Sequence, residues 1–523
     1  MSRIRLSIIL VLTLALSLLA ITPAFTAPQR PQDHVRTSRV LHRYAEDTYR
    51  SMVAMTNKRT GLTADNLSAD GKRSEYTSPT NIGAYLWSTL AARDVGLITR
   101  RQARERLART VRTVGRLERH EPSGQFYNWY DPATREKLTT WPVDGNPVYP
   151  FLSSVDNGWL AAGLRMVARG APALRRPALR LYRSMDFGFY YDPQVGQIRG
   201  GYWTELPPNQ VYAPQVSGGC ETSPAEGDTG EGWTCHHYGS LNTEPRIASY
   251  IGIAKGEIPP EHYFKTFRTF PSTCDWGWQE AKPAGVNRSY MGVDVFEGHY
   301  TYRGMDIVPS WGGSMFEALM VPLLVPEEQW GPRSWGVNHP LYVRAQIKHG
   351  LNEAGYGYWG FSPSNNPAGG YREYGVDQIG LNPDGYSSDQ ERTVVDRGFA
   401  SDTPGEPPCR EAQPKPDSYG HGVVTPHAAF LALDYKPNRA LRNLRRLRRD
   451  FDLYSAHGFY DAVDVVSGQV SRYWLALDQG MIMAALGNEL TDDHLQSYFA
   501  RGRVRRAVKP LLKMERFTAG YAR

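Results

Sequence analysis

Apolar residues recur at helical spacing from one end of this 523-residue chain to the other, and no strand alternation runs through it. Ile82, Leu86 and Leu90 lie four apart in "TNIGAYLWSTLAARDVGLI". Leu160, Leu164 and Val167 share a face in "DNGWLAAGLRMVARG", which stops at a Gly. Ile247, Ile251 and Ala254 do the same in "EPRIASYIGIAKGEIPPEHYF", where Pro245 suits a first helical position. "TPHAAFLALDY" and "LALDQGMIMAALGNEL" continue the series. Between these segments lie loops rich in Gly, Trp and Tyr, such as "GYGYWGFSPSNNPAGGYREYG". Helix, long aromatic loop, helix, repeated without a linker and without a strict sequence repeat, predicts an all-α chain. The expected architecture is a ring of paired helices, an (α/α)6 toroid. Its loops gather at one end and line a groove, because binding residues concentrate on loops held by a rigid scaffold. A hairpin is expected only within residues 274–302, and residues 385–418 read as one long excursion pinned by Cys409.

The N-terminus has Arg3 and Arg5, then an apolar run from Leu6 to Ile21, then small residues at Thr22, Ala24 and Ala27. That order reads as a secretory signal over residues 1–27. The expected division is then a lead-in helix region over 28–75, a main domain over 76–490 and a basic helix or tail over 491–523. No later segment is long and apolar enough to span a bilayer. The expected product is an exported monomer, free of the membrane once the signal is cleaved. Four cysteines fit export: Cys220, Cys235, Cys274 and Cys409. Three pairings are open. The short Gly-rich acidic loop between the first two favours Cys220–Cys235 with Cys274–Cys409. The net charge of +7 sits mostly in "NRALRNLRRLRRDF" and "RGRVRRAVKPLLKMERF". Leu441, Leu444 and Leu447 place the first of these on a helix with a solvated basic face. No nucleic-acid-binding motif accompanies the charge.

The loops point to a ligand class. Trp129, Trp141, Trp203, Trp311, Trp359 and Tyr371 sit among Asn, Asp, Arg and Gly. Aromatic faces beside polar groups suit sugars, whose C–H faces stack and whose hydroxyls hydrogen-bond. Glycoside hydrolysis needs two carboxyl groups across the scissile bond, one protonated and one charged. Five acids qualify. Glu317 follows Trp311-Gly312-Gly313 and lies among Met315, Phe316, Leu319 and Met320, where desolvation would make it a general acid. Glu244 precedes Pro245 at a helix start, where the helix dipole and Arg246 favour a charged carboxylate. Asp156 in "SSVDNGWL" reads either as a helix N-cap or as a groove residue. Asp377 in "GVDQIG" and Asp478 in "LALDQGM" sit beside apolar residues and read equally as structural acids. Patterns for serine hydrolases, zinc proteases and P-loops are missing. Adjacent His236 and His237 would point apart. With no spaced His/Cys/Asp ligand set, neither a metal nor another cofactor is expected for the chemical step.

Several blocks occur together in order: "TSPTNIGAYLWSTLAARDVGLI", "RLERHEPSGQFYNWYDPATREKL", "FLSSVDNGWLAAGL", "NTEPRIASYIGIAKGEIPPEHYF", "SWGGSMFEALMVPLL", "GYWGFSPSNNP", "GVVTPHAAFLAL", "GFYDAVD" and "LALDQGM". In these the chain resembles the glycoamylase-like family, which includes the cyclisation region of cyclic β-1,2-glucan synthases and is related to bacterial endo-β-1,2-glucanases. The resemblance covers about residues 76–490 and implies an (α/α)6 toroid acting on glucan-type polymers. It places the family's active-site acids on Glu317 and Glu244, and Asp156 in a block that lines the groove. Trp129, Trp311, Trp359, Tyr371, Asp377, Asp478 and Arg246 are expected as substrate contacts. Pro245 departs from the family's usual small residue, and Asp478 matches the glucanase branch. Two other classes stay in view: a polysaccharide lyase on a toroid, and a glycan-binding protein without catalysis.

Overall fold

The computed structural model describes residues 31–225, 230–270, 281–381 and 422–522. The expected signal segment, Cys274, Cys409 and the excursion over 385–418 lie outside the described residues. Helix α1 (Pro31–Met55) is followed by α2 (Pro79–Asp94), α3 (Arg100–Val114), α4 (Ser154–Gly170) and α5 (Arg175–Ser184). Next come α6 (Arg246–Lys255), α7 (His262–Lys265), α8 (Met315–Leu319), α9 (Glu327–Trp330) and α10 (Trp335–Lys348). The last five are α11 (Pro426–Leu431), α12 (Pro437–Asp450), α13 (Ala476–Thr491), α14 (His494–Ala500) and α15 (Arg503–Met514).

Local chemistry sets the ends of these helices. Ser78 caps α2 by accepting from the Asn81 amide, ahead of Pro79 at the first position. Thr99 and Gln102 form a capping box at the start of α3. Ser153 caps α4 through the Asp156 amide, and Gly256 closes α6 in the left-handed conformation. Asp156 is therefore not the cap itself; its carboxylate is left for other partners.

Within residues 41–523, which form one compact unit, six helices contact one another in a closed cycle. Helix α2 touches α4, α4 touches α6, α8 touches α11, α11 touches α13 and α13 returns to α2. The α6–α8 step is made by Arg246, which donates to the Glu317 and Ala318 carbonyls. Each of the six carries a second helix: α3 on α2, α5 on α4, α15 on α6, α10 on α8, α12 on α11 and α14 on α13. Sequence patterning follows from this placement. Helices α2, α4 and α13 are buried along most of their length and read as apolar all round. Helices α3, α5, α12 and α15 bury one stripe and present arginines on the other side.

The closest approach in the cycle is between α2 and α4. A Cβ at Gly83 would lie 2.5 Å from the Trp159 carbonyl oxygen, and one at Gly163 would lie 2.9 Å from Gly83 Cα. Backbone on both sides leaves nothing to rotate away. Gly83→Ala is expected to destabilise the fold by about 1–3 kcal/mol, read as a lower denaturant midpoint with an unchanged slope.

The chain is not all-α. The expected hairpin forms as Ala284–Tyr290 against Val293–Tyr302, extended by Met305–Ile307 and Gly520–Tyr521 into a four-stranded antiparallel sheet. A second, five-stranded sheet joins Phe151–Ser153, Gly201–Trp203, Gly232–Thr234, Val211–Ala213 and Glu221–Thr222. Its strands are two or three residues long. That is too short to show alternation, and tertiary pairing rather than local pattern makes them strands. The Cys220–Cys235 disulfide ties this sheet's outer loop, with Cα atoms 5.9 Å apart. Strand Asn66–Ser68 pairs with Tyr473–Leu475, so the segment ahead of residue 76 is built into the same unit.

Candidate active site

A cleft of about 1100 Å³ opens among the loops of this unit. It is lined by six acids, Asp65, Glu75, Asp156, Glu244, Glu317 and Glu373, and by Tyr76, Trp129, Trp141 and Tyr371. Glu317 sits in the first turn of α8, whose cap Ser314 accepts from the Glu317 amide. Glu244 lies just before α6. The two meet directly: the Glu244 backbone N–H donates to Glu317 Oε2 at 2.9 Å. Glu244 Oε2 in turn accepts from Trp159 Nε1 at 2.7 Å, and Trp159 belongs to α4. Three consecutive members of the helix cycle thus hold one pair of carboxyls.

Burial raises both acids, because the charged form loses its hydration. Glu317 is pushed up to about 7, with the Glu244 amide and the positive charge of Arg246 pulling the other way. Glu244 is raised well above the usual range, first by burial and then by the negative charge of Glu317, against the Trp159 hydrogen bond; Asp156 and Glu373 push it further up. Glu373 rises to about 9 through burial and the Glu317 charge. Asp65 is also raised by burial, although Asn81 Nδ2 donates to it at 2.8 Å. Asp156 accepts from Thr80 Oγ1 at 2.6 Å and from Asn128 Nδ2 at 3.0 Å, which fixes its carboxylate on the cleft wall.

The aromatic side of the cleft is one cluster. Tyr76 lies 4.5 Å from Trp141 and 5.6 Å from Trp129 between ring centroids, and the two indoles are 5.7 Å apart. Tyr371 stands on another part of the wall, 49% exposed. These rings offer the stacking faces a pyranose needs.

The structure does not place every expected contact in the cleft. Arg246 is 4% exposed and faces away from it. Its guanidinium grips Glu327 with Nε–Oε1 at 2.9 Å and Nη2–Oε2 at 3.0 Å, and its other donors go to the Thr243, Glu317 and Ala318 carbonyls. With its donors satisfied inside the protein, it is a positioning residue rather than a substrate contact. Trp359 is buried, and its carbonyl receives Asn443 Nδ2. Trp311 packs against the Phe270, Tyr300 and Leu381 cluster. Asp377 and Asp478 are buried and do not line the cleft. Trp203 packs on Phe151, 4.9 Å between centroids. His237 pairs with Asp192 at 3.0 Å.

Sequence reasoning missed Asp65, Glu373 and Trp159. Glu373 carried a signal, since it stands two residues after Tyr371 in the aromatic loop. Asp65 carried none, because it reaches the cleft from the position just ahead of strand Asn66–Ser68, which is placed by its pairing with Tyr473–Leu475.

Residues 280–502 match the Glycoamylase family model, described as "Putative glucoamylase". The resemblance read from the sequence holds. A stretch of 354 residues, 65% of this chain, is 28% identical to the cyclic beta-(1,2)-glucan synthase NdvB of Rhizobium meliloti (strain 1021). The match spans only 9% of that protein's length. Among solved structures, an endo-beta-1,2-glucanase from Chitinophaga pinensis superposes with a TM-score of 0.60 at 17% identity, covering 91% of this chain and 98% of that one. A beta-1,2-glucanase from Parabacteroides distasonis gives a TM-score of 0.62 at 15% identity over 91% of this chain and 60% of that one. At these identities the likeness is one of fold.

Proposed function

We propose that this glycoamylase-like chain is an exported glycoside hydrolase that cleaves a glucan-type polysaccharide, β-1,2-glucan, with Glu244 and Glu317 as its two carboxyls. The helix cycle with its six outer partners supports reading the scaffold as the (α/α)6 toroid. One observation carries the functional reading. Two buried carboxyls are joined by the Glu244 amide in an open cleft faced with a cluster of aromatic rings. An O-glycosidic bond needs a proton on its leaving oxygen and a negative charge near the developing oxocarbenium ion. Two buried acids this close resist ionising together, so one proton shared between them meets both needs.

The surroundings support one division of roles. Glu317 receives an amide hydrogen bond and the field of Arg246, both of which favour its charge. Glu244 faces the charges of Glu317, Asp156 and Glu373, which favour its neutral form. Glu244 is the proton donor and Glu317 the ionised partner. This reverses the assignment that the apolar neighbours of Glu317 suggest in the sequence. Asp156 and the Tyr76–Trp129–Trp141 cluster hold the sugar chain. The sugar and linkage rest on the likeness to the β-1,2-glucanases and to the synthase. Export rests on the N-terminal sequence, and the active species is a monomer.

The test is a panel of neutral glucans of different linkage, incubated with purified protein and read by product mass. Glucose oligomers released from β-1,2-glucan support the reading, and release from another linkage moves the substrate. Products with an unsaturated, ultraviolet-absorbing end indicate a lyase. Retention on a glucan column with no product indicates a binding protein.

A further inference from the structure

A second cluster of chemistry-bearing side chains lies outside the cleft. His427 comes from α11, Asp461 from the turn before strand Ala462–Asp464, and Asp478 from the first turn of α13. They are 1%, 2% and 2% exposed. A ring nitrogen of His427 and one carboxylate oxygen from each Asp lie within 4.8 Å of one another. His427 Nδ1 is 3.3 Å from Asp478 Oδ2. The groups that act on the two carboxylates are each other, His427, Asp65 and the Asn365 amide. His427 Nε2 is buried without a hydrogen-bond partner, and Asp461 Oδ1 and Asp478 Oδ2 have none outside the cluster itself, where the two carboxyls and His427 Nδ1 meet.

Buried polar atoms without partners are rare and destabilising. Two carboxylates shut in together cost more unless a positive charge joins them. We propose that His427, Asp461 and Asp478 bind one divalent transition-metal ion beside the wall of the cleft. A 2+ ion balances two carboxylates and supplies a partner for the orphaned atoms. The donor set names the class: an imidazole with two carboxylates suits Zn2+ or Mn2+, whereas Ca2+ takes oxygen ligands.

Other bonds hold the set in place. Thr425 Oγ1 donates to the Asp461 carbonyl at 2.7 Å and lies 2.8 Å from His427 Nδ1. Asn365 N–H donates to Asp461 Oδ2 at 2.6 Å, and Asn365 lines the cleft. The ion would pin α11, α13 and the strand carrying Asn365 to one point. Its role is to hold the cleft wall, apart from the two-carboxyl chemistry.

The test uses the whole purified protein. Elemental analysis should find close to one equivalent of Zn2+ or Mn2+ per chain. Dialysis against a chelator should remove the ion and lower the thermal midpoint, and ZnCl2 or MnCl2 should restore it while CaCl2 does not. Asp461→Asn and His427→Gln should lose the ion and the response to chelator. If these variants do not fold, the metal titration of the unaltered protein decides. Protein that carries no metal and whose midpoint is unmoved by ZnCl2 and MnCl2 overturns the proposal in favour of a shared proton or a trapped water. So does metal binding that survives in Asp461→Asn.

Discussion

Glu317→Gln and Glu244→Gln are each expected to lower kcat by at least ~10²-fold, the scale of general acid–base catalysis, with substrate binding little changed. Glutamine keeps the size and the acceptor oxygen, so the Glu244 amide and Trp159 indole still have partners. The two variants should differ in a second readout. A glucoside with a good leaving group needs no proton, so it should rescue Glu244→Gln and leave Glu317→Gln inactive. Rescue of Glu317→Gln instead would exchange the roles. Activity of the unaltered protein should rise through pH about 7 as Glu317 ionises and fall at higher pH as Glu244 gives up its proton.

Stability should move with the same groups. A carboxyl whose folded pKa is raised to about 7 binds its proton more tightly when folded. Its contribution is therefore complete below the unfolded value near 4.5 and is lost as pH rises through 7. Glu317→Gln removes the cost of holding that charge. Its stability should match the parent near pH 4.5 and exceed it at pH 8 by on the order of 3 kcal/mol, read as a higher thermal midpoint. A lower midpoint at pH 8 would show that the charge stabilises the fold.

Arg246→Met is expected to destabilise the scaffold by about 3–5 kcal/mol. Glu327 is fully buried, and burial raises its carboxyl, yet Arg246 and His339 outweigh that and hold it at about 2. Without the guanidinium the charge keeps only Tyr250 and His339. The carbonyls of Thr243, Glu317 and Ala318 lose their donor at the same time. Because those carbonyls anchor the two segments that carry Glu244 and Glu317, turnover should fall even in the fraction that folds. Adding Glu327→Leu should recover much of the stability, since an apolar pair leaves no unpaired charge. It should not recover turnover. A single variant that melts like the parent would mean that Glu327 takes up a proton at little cost.

The sequence by itself determined the helices and singled out two acids that the fold brings together. Helical spacing in α2, α4, α6, α11 and α13 is a local signal, and each segment must bury its apolar residues whichever neighbour it finds. Glu317 stood out because an acid in an apolar run requires an explanation, and Glu244 because it stands at a helix start. What only the tertiary structure decided was which way each side chain faces and what it meets. Arg246 is next but one to Glu244 in the chain, yet about half a turn of helix turns it into the core against Glu327, eighty-one residues away. The proposed acid and base roles depend on charges brought from α4, α6, α8 and the loop at Glu373, none of which the apolar neighbours of Glu317 in the sequence reveal. Asp65, Trp159 and the His427–Asp461–Asp478 cluster are contacts between distant segments. No spacing along one strand or helix encodes them, because the distances that matter are set by packing across the helix cycle.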